Sequence, residues 1–341
     1  MKNIFLSFVC LAMSSAFSLI FVQETYSQEG KGLFSATSPA PAYVAAENNL
    51  SKFFLYADGG YHADWYVGYN NCWTVQLPPI NTSKYSKAYI GAKLGRAKTK
   101  SWPNSWDNSP IPGKIHMAIN STYSFNSEHS YTIADASDLP LEPLPGDYLE
   151  GVDSSQWFWA AVPISKISKT QDNFLALWSA GKDFVSSDKS PIVAAAMSDD
   201  GMENVWLSRS IKGAPPVGES ALEMPISGLK PAMAIKLVPK NDFKVLIKGF
   251  YANVGDEIID TFFTAVGEDI RAAWLEISYD RYDWQRVGRY FFRAPYFRSF
   301  GREEISKEMF YLRAAAVDSL ENIGYSSAIK IPAVKKAGKA E

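Results

Sequence analysis

A chain of 341 residues, 47% apolar and 21% charged, is long enough for two cores of ordinary domain size and too apolar to stay disordered. Its 34 Lys and Arg against 36 Asp and Glu leave a net charge of −2, which excludes the whole-chain electrostatic footprint of a nucleic-acid or anionic-membrane binder. Aromatic residues reach 14%, a bias that favours strands and also surfaces that stack on sugars or anchor partners.

The N-terminus reads as an export signal. Lys2 supplies the positive start, 4–22 is apolar apart from Ser7, Ser14, Ser15 and Ser18, and Thr25 and Ser27 stand ahead of a cut before Gln28. Removal of 1–27 leaves no membrane-spanning segment and a protein that is secreted, periplasmic or at the cell surface. The rival is an uncleaved anchor, because the run approaches the roughly 20 residues that cross a bilayer. Cys10 leaves with the signal, so Cys72 has no intrachain partner and reads as a small buried hydrophobe beside Trp73.

Residues 28–48 are rich in Gly, Ser, Ala and Pro and read as a flexible spacer. A larger domain follows over 49–210. Apolar, alternating runs at 51–57, 72–77, 85–94, 115–119, 157–162, 173–178, 192–197 and 205–207 predict strands. The loops between them, 101–113 and 139–151, are rich in proline. No sustained 3.6-residue period is present, with room for one short helix within 164–177. Many short strands of this kind predict a jelly-roll-like β-sandwich. Four prolines and three glycines in 211–231 mark a linker.

A second domain spans 232–334, with a solvated tail over 335–341. Alternation in 243–251 places Phe243, Val245 and Ile247 inward and Lys244 and Lys248 outward. Strands at 258–266, 273–279 and 284–287 follow, the last two joined by a turn at 280–283. A closing hairpin over 309–331 puts Phe310, Leu312, Ala314 and Ala316 on one face. Leu275, Ile277, Ser278 and Asp280, then Trp284, Val287 and Gly288, together with that hairpin, resemble bacterial immunoglobulin-like and fibronectin type III modules, in which a Ser-x-Asp-Gly-x-x-Trp hairpin joins two central strands. The resemblance implies an immunoglobulin-like β-sandwich over 232–334. Arg281 stands where the turn glycine is usual and Phe310 where the corner tyrosine is usual, so that corner's hydroxyl bond is expected to be absent. The whole chain is therefore expected to be all-β. Fold likeness of this kind implies nothing about function.

Catalytic patterns are missing. His62, His116 and His129 do not share a zinc-hydrolase spacing, and Gly218, Glu219 and Ser220 lack the second glycine of a nucleophile elbow. The adjacent acid pairs 199–200, 256–257, 268–269 and 303–304 fall at turns, where neighbours do not share a pocket. Lys93, Arg96, Lys98 and Lys100 read as charges guarding a strand edge. Asp58 and Asp64, flanking Gly59 and Gly60, offer oxygen ligands to a structural calcium ion, a plain Gly-Gly turn being the alternative; no other cofactor is expected. Trp65, Tyr66 and Tyr69, with Trp102 and Trp106 in a Pro- and Asn-rich loop, form the candidate ligand surface, although the rings of 61–69 also fit a core strand. The expected function is an exported, non-catalytic binding or cell-surface protein whose partner is a polysaccharide or another surface protein. Two rivals stand beside it: a carbohydrate-active hydrolase whose carboxylates converge only in space, and a surface-layer or filament subunit.

Overall fold

The computed structural model describes residues 40–53, 66–95, 112–140, 155–186, 190–197, 204–255, 257–306 and 308–334. Strands dominate, and the one α-helix among these residues is the single turn Arg302–Ile305. In chain order the first part contains β1 (Ala42–Ala45), β2 (Cys72–Leu77), β3 (Tyr85–Gly95), β4 (Lys114–Asn120), β5 (Ser130–Asp135), β6 (Gln156–Val162) and β7 (Asn173–Ser179). It continues with β8 (Ile192–Val193), β9 (Ala195–Met197), β10 (Val205–Ser208), β11 (Met224–Pro225), β12 (Leu229–Pro231) and β13 (Met233–Pro239). One antiparallel sheet runs β1-β13-β3-β6, with β8 also on β3, and the other runs β11-β10-β2-β7-β4-β5.

The two sheets enclose a dry core, as alternation requires when one face of each strand is covered. Ile90 and Leu94 of β3 and Ile235 and Leu237 of β13 face Trp73 and Val75 of β2 and Leu175 and Leu177 of β7, all fully or almost fully buried. Each such side chain contributes about 1.5–3 kcal/mol.

The second part contains β14 (Leu246–Val254), β15 (Ile258–Val266), β16 (Ile270–Ser278), β17 (Gln285–Phe291), β18 (Tyr296–Gly301), β19 (Phe310–Asp318), β20 (Ile323–Tyr325) and β21 (Ile329–Ile331). Its sheets are β14-β15-β18 and β17-β16-β19-β20, with β21 also paired to β19. Phe310, Leu312, Ala314 and Ala316 all point into the core, packed with Phe263 and Leu275. The chain is thus all-β, one sandwich followed by another.

The turn between β16 and β17 shows why an arginine is tolerated at a glycine position. Arg281 adopts a left-handed backbone, φ 71°. The Ser278 hydroxyl oxygen accepts from the Arg281 amide at 2.8 Å, and Asp280 Oδ1 accepts from the Tyr282 and Asp283 amides at 2.8 and 2.9 Å. Its guanidinium lies 4.2 Å from the centre of the Tyr311 ring, which offsets part of the conformational cost.

Several expectations need correction. The spacer 28–48 contains a strand: β1 pairs with β13 at the open edge of its sheet, where flanking prolines remove no ladder bond. The linker 211–231 is packed onto the first sandwich. Ile211 and Ala221 are buried against Cys72, Ala118 and Trp178 on the outer face of the second sheet, and β11 and β12 pair with β10 and β9. Proline and glycine there signal irregular dihedrals, not freedom from packing. The segment 233–239 belongs to the first sandwich, because β3 has a second edge to fill and Ile235 pairs with Ile90. Of the strand expected at 51–57, Ser51 and Lys52 belong instead to a 3₁₀ turn, Leu50–Lys52, capped by Asn49, and 54–57 lie outside the described residues. Phe243 lies before β14 and is exposed, while Val245 is buried. The strands β5 and β18 carried too little alternation to be read.

Candidate functional site

Trp65, Trp102, Trp106, Asp58 and Asp64 lie outside the described residues. Tyr66 is buried, and its hydroxyl donates to Asn70 Oδ1 at 2.9 Å, with the Val185 carbonyl 3.1 Å away. Its own carbonyl accepts from Asn71 Nδ2 and Trp73 Nε1. Tyr66 therefore staples a loop and offers no ring face to a ligand. Tyr69 is half-buried, pinned by backbone bonds to Phe184 and Gly213, and its ring occupies the space where a side chain at 213 would stand.

Of the remaining sequence candidates, His62, Arg96, Lys98 and Lys100 also lie outside the described residues, while Lys93, Cys72 and His116 are packed into the fold. Lys93 donates to the Phe53 carbonyl at 2.7 Å. Burial pushes the Cys72 thiol up to about 12, so it is inert. His116 stacks on Trp178 with ring centres 5.6 Å apart, and burial, then Lys114, hold its pKa below the ordinary value. A histidine whose folded pKa is depressed contributes stability that is complete above its unfolded pKa, about 6.5, and is lost as pH falls below it. Replacing His116 by Gln is expected to flatten the fall in Tm as pH drops below about 6.5; an unchanged slope would show that another group titrates. Among the described residues no cluster of three or more His, Cys, Asp or Glu can hold a metal ion.

A more developed site lies where the sandwiches meet. Both belong to one compact unit, Pro39–Glu341. On the outer face of the first sheet the register aligns Tyr43, Lys236 and Tyr89 across β1, β13 and β3, and Gly91 with Trp159 across β3 and β6. A lysine on an outer face normally reaches water. Lys236 is instead fully buried, because the turn between β19 and β20 lies over it. Glu321 in that turn places Oε1 2.8 Å from Lys236 Nζ, and its Oε2 accepts from Arg271 Nη2 at 2.9 Å. The Tyr43 and Trp159 ring centres stand 5.8 and 5.5 Å from the ammonium. Burial draws the Lys236 pKa down, against the attraction of Glu321, and the hydroxyls of Tyr43 and Tyr89 are pushed up to about 12 by burial and then by the Glu321 charge.

Glu321 itself takes a left-handed backbone, φ 59°. Asp318 holds it there by accepting from the Leu320 and Asn322 amides at 2.9 and 2.8 Å. Strain of about 1–2 kcal/mol is thus retained at the residue that spans both sandwiches.

Beside this lock opens a cavity of about 260 Å³. Trp159 and Phe158 form its wall on the first sandwich, and Trp274, Tyr290 and Phe292 its wall on the second. The rings brace one another: Trp157 and Trp159 stack at 5.0 Å, Trp274 meets Tyr290 edge-on at 5.6 Å, and Phe158 meets Phe292 edge-on at 5.7 Å. Arg271 lines the same space, and its Nε is buried with no hydrogen-bond partner. At the rim Arg286 forms a two-pronged pair with Asp138 at 2.6 and 2.7 Å and covers the Tyr290 ring at 4.4 Å. Three carboxylates near the cavity among the described residues, Glu321, Asp138 and Glu276 (which accepts from Trp274 Nε1 at 2.8 Å), are each held in ion pairs. Flat apolar walls with fixed, directional donors suit a ligand with one apolar face and a hydroxylated edge.

The site was hidden in the sequence by its separation: Tyr43 fell in the presumed spacer and Glu321 in the polar turn of the hairpin. One signal existed, a single lysine within the apolar run 232–238.

No protein-family model and no curated protein matches this chain. Solved structures resemble it only weakly. A β-1,2-glucanase from Parabacteroides distasonis gives a TM-score of 0.24 at 11% identity over 78% of this chain and 31% of its own. The glycoside hydrolase domain of Endo-D from Streptococcus pneumoniae R6 gives 0.27 at 9%, over 77% and 32%. The FN1–FN3 domains of chicken CNTN1 give 0.26 at 10%, over 76% and 68%. This chain spans about a third of the length of the two hydrolase structures, and likenesses of this size place it in no family.

Proposed function

We propose that this is an exported, non-catalytic carbohydrate-binding protein, in which an immunoglobulin-like second sandwich forms one wall of the binding cleft. The observation that carries this reading is the cavity between the sandwiches, with Trp159 facing Trp274 and Tyr290 and the buried, unpartnered Nε of Arg271 beside them. Export is supported by the signal-like 1–27, and no helix among the described residues is long and apolar enough to cross a membrane. Acid–base hydrolysis has less support, because Glu321 and Asp138 are each committed to arginine or lysine partners.

Titration of the protein with neutral and acidic oligosaccharides, followed by tryptophan fluorescence and calorimetry, tests this reading. At least one is expected to bind, and Trp274→Ala to weaken it about tenfold, the equivalent of about 1.4 kcal/mol for one lost stacking surface. If no sugar of the panel binds, or Trp274→Ala leaves affinity unchanged, the cleft is not a carbohydrate site.

A further inference from the structure

The outer face of the three-stranded sheet in the second sandwich carries a row of aromatic rings running across the strands. Register places Tyr251 of β14 beside Phe262 of β15, and Phe262 beside Phe297 of β18. The Tyr251 and Phe262 ring centres are 5.6 Å apart with planes 30° from parallel. Tyr251 and Phe297 each expose more than half of their surface, at 57% and 55%. The opposite faces of the same strands supply the core through Ile259, Phe263 and Phe300, so the row is surplus to the folding of this sandwich.

Polar rows flank it on both sides. Asn253, Asp260 and Ser299 align in register on one side, and Lys248 with Thr264 on the other. None of the Asn253, Asp260 or Ser299 side chains has a hydrogen-bond partner among the described residues. Neighbouring strands lie about 4.8 Å apart and residues two apart on a strand about 7 Å, so the rings span about 10 Å with hydrogen-bonding groups about 7 Å away.

We propose that this face binds the surface of an extended polysaccharide. The chain lies across the strands, with its sugar faces on Tyr251, Phe262 and Phe297 and its hydroxyls on Asn253, Asp260 and Ser299. Two observations favour this occupant over a second copy of the protein. The exposed part of the row amounts to roughly 300 Å² at 150–250 Å² per ring, and Leu246, Ile258 and Val266, each about half exposed on the same face, leave the apolar surface still short of the roughly 800 Å² each partner covers in a stable dimer. The unpartnered amide, carboxylate and hydroxyl beside the rings match an alternating apolar face and hydroxylated edge. The inference is separate from the cleft and stands or falls without it.

The test is depletion of the full-length chain from solution by suspended cellulose, chitin and insoluble β-1,3-glucan. At least one is expected to retain the protein, and Tyr251→Ala with Phe297→Ala to cut the retained fraction about tenfold, as expected for lost stacking. Both side chains are more than half exposed, so the double variant is expected to melt like the parent; should it not, the single Phe297→Gln variant replaces it, with a loss of roughly threefold expected for one ring. Introduced into a chain that already carries Trp274→Ala, so that the cleft is disabled in both proteins compared, the Tyr251 and Phe297 substitutions are expected to cut retention by the same factor, which separates the two sites. Full retention by the double or single variant, no retention on any of the three solids, or a parental dimer by light scattering that the variant converts to monomer would each overturn the proposal.

Discussion

Replacing Glu321 by Ala is expected to destabilise the protein by about 3–5 kcal/mol, while Lys236→Met costs far less. Lys236 is fully enclosed, and without Glu321 its ammonium keeps two aromatic rings and the more distant attraction of Asp318 but no paired carboxylate. Leaving one member of a buried ion pair unpaired carries a penalty of about 3–5 kcal/mol. The reverse substitution is gentler, because Glu321 retains Arg271 at 2.9 Å, and Arg271 is partly open to solvent. Adding Lys236→Met to Glu321→Ala should recover most of the loss, since an apolar side chain of similar length then fills the enclosed space. Urea unfolding of the two single variants and the double variant measures all three quantities. Equal costs for the single variants, or no recovery in the double, would mean that the lysine is not held charged by Glu321.

The second large effect is expected at Gly91. A Cβ there would run into the Trp159 indole and the Phe158 carbonyl oxygen of the neighbouring strand. Gly91 is the floor on which the Trp159 ring lies, and its lack of a side chain lets the indole reach over β3 toward Lys236. Gly91→Ala is expected to cost about 1–3 kcal/mol through overpacking and, by displacing Trp159, to weaken sugar binding together with stability. Trp159→Ala added to Gly91→Ala should restore only part of the stability, because the carbonyl contact is backbone and persists. Thermal melts and the oligosaccharide titration together check this; a Gly91→Ala protein with parental stability and affinity would remove Trp159 from the cleft.

The two substitutions bear on one device. Lys236, Glu321 and Arg271 tie the β19–β20 turn to the outer face of the first sheet, and the cavity walls depend on that tie. Loss of Glu321 should therefore also reduce sugar affinity, although no sugar need touch it.

Strand positions were legible where one face is buried and the other is not. The run 72–77 coincides with β2, and the apolar face of Phe310, Leu312, Ala314 and Ala316 is the one that enters the core. Alternation says which side chains share a face, and it does so for each strand without reference to any other. It cannot say what lies over the second face. Tyr43, Lys236 and Trp159 look like ordinary outward residues in sequence, and their pattern is the same whether water or Glu321 covers them. The Pro- and Gly-rich stretches misled for a related reason: such residues restrict or free backbone dihedrals, whereas burial depends on contacts made elsewhere in the chain. Two all-β layers follow from local chemistry along the polypeptide; the cleft exists because residues 43, 159, 236, 271 and 321 meet through long-range packing, which no local pattern encodes.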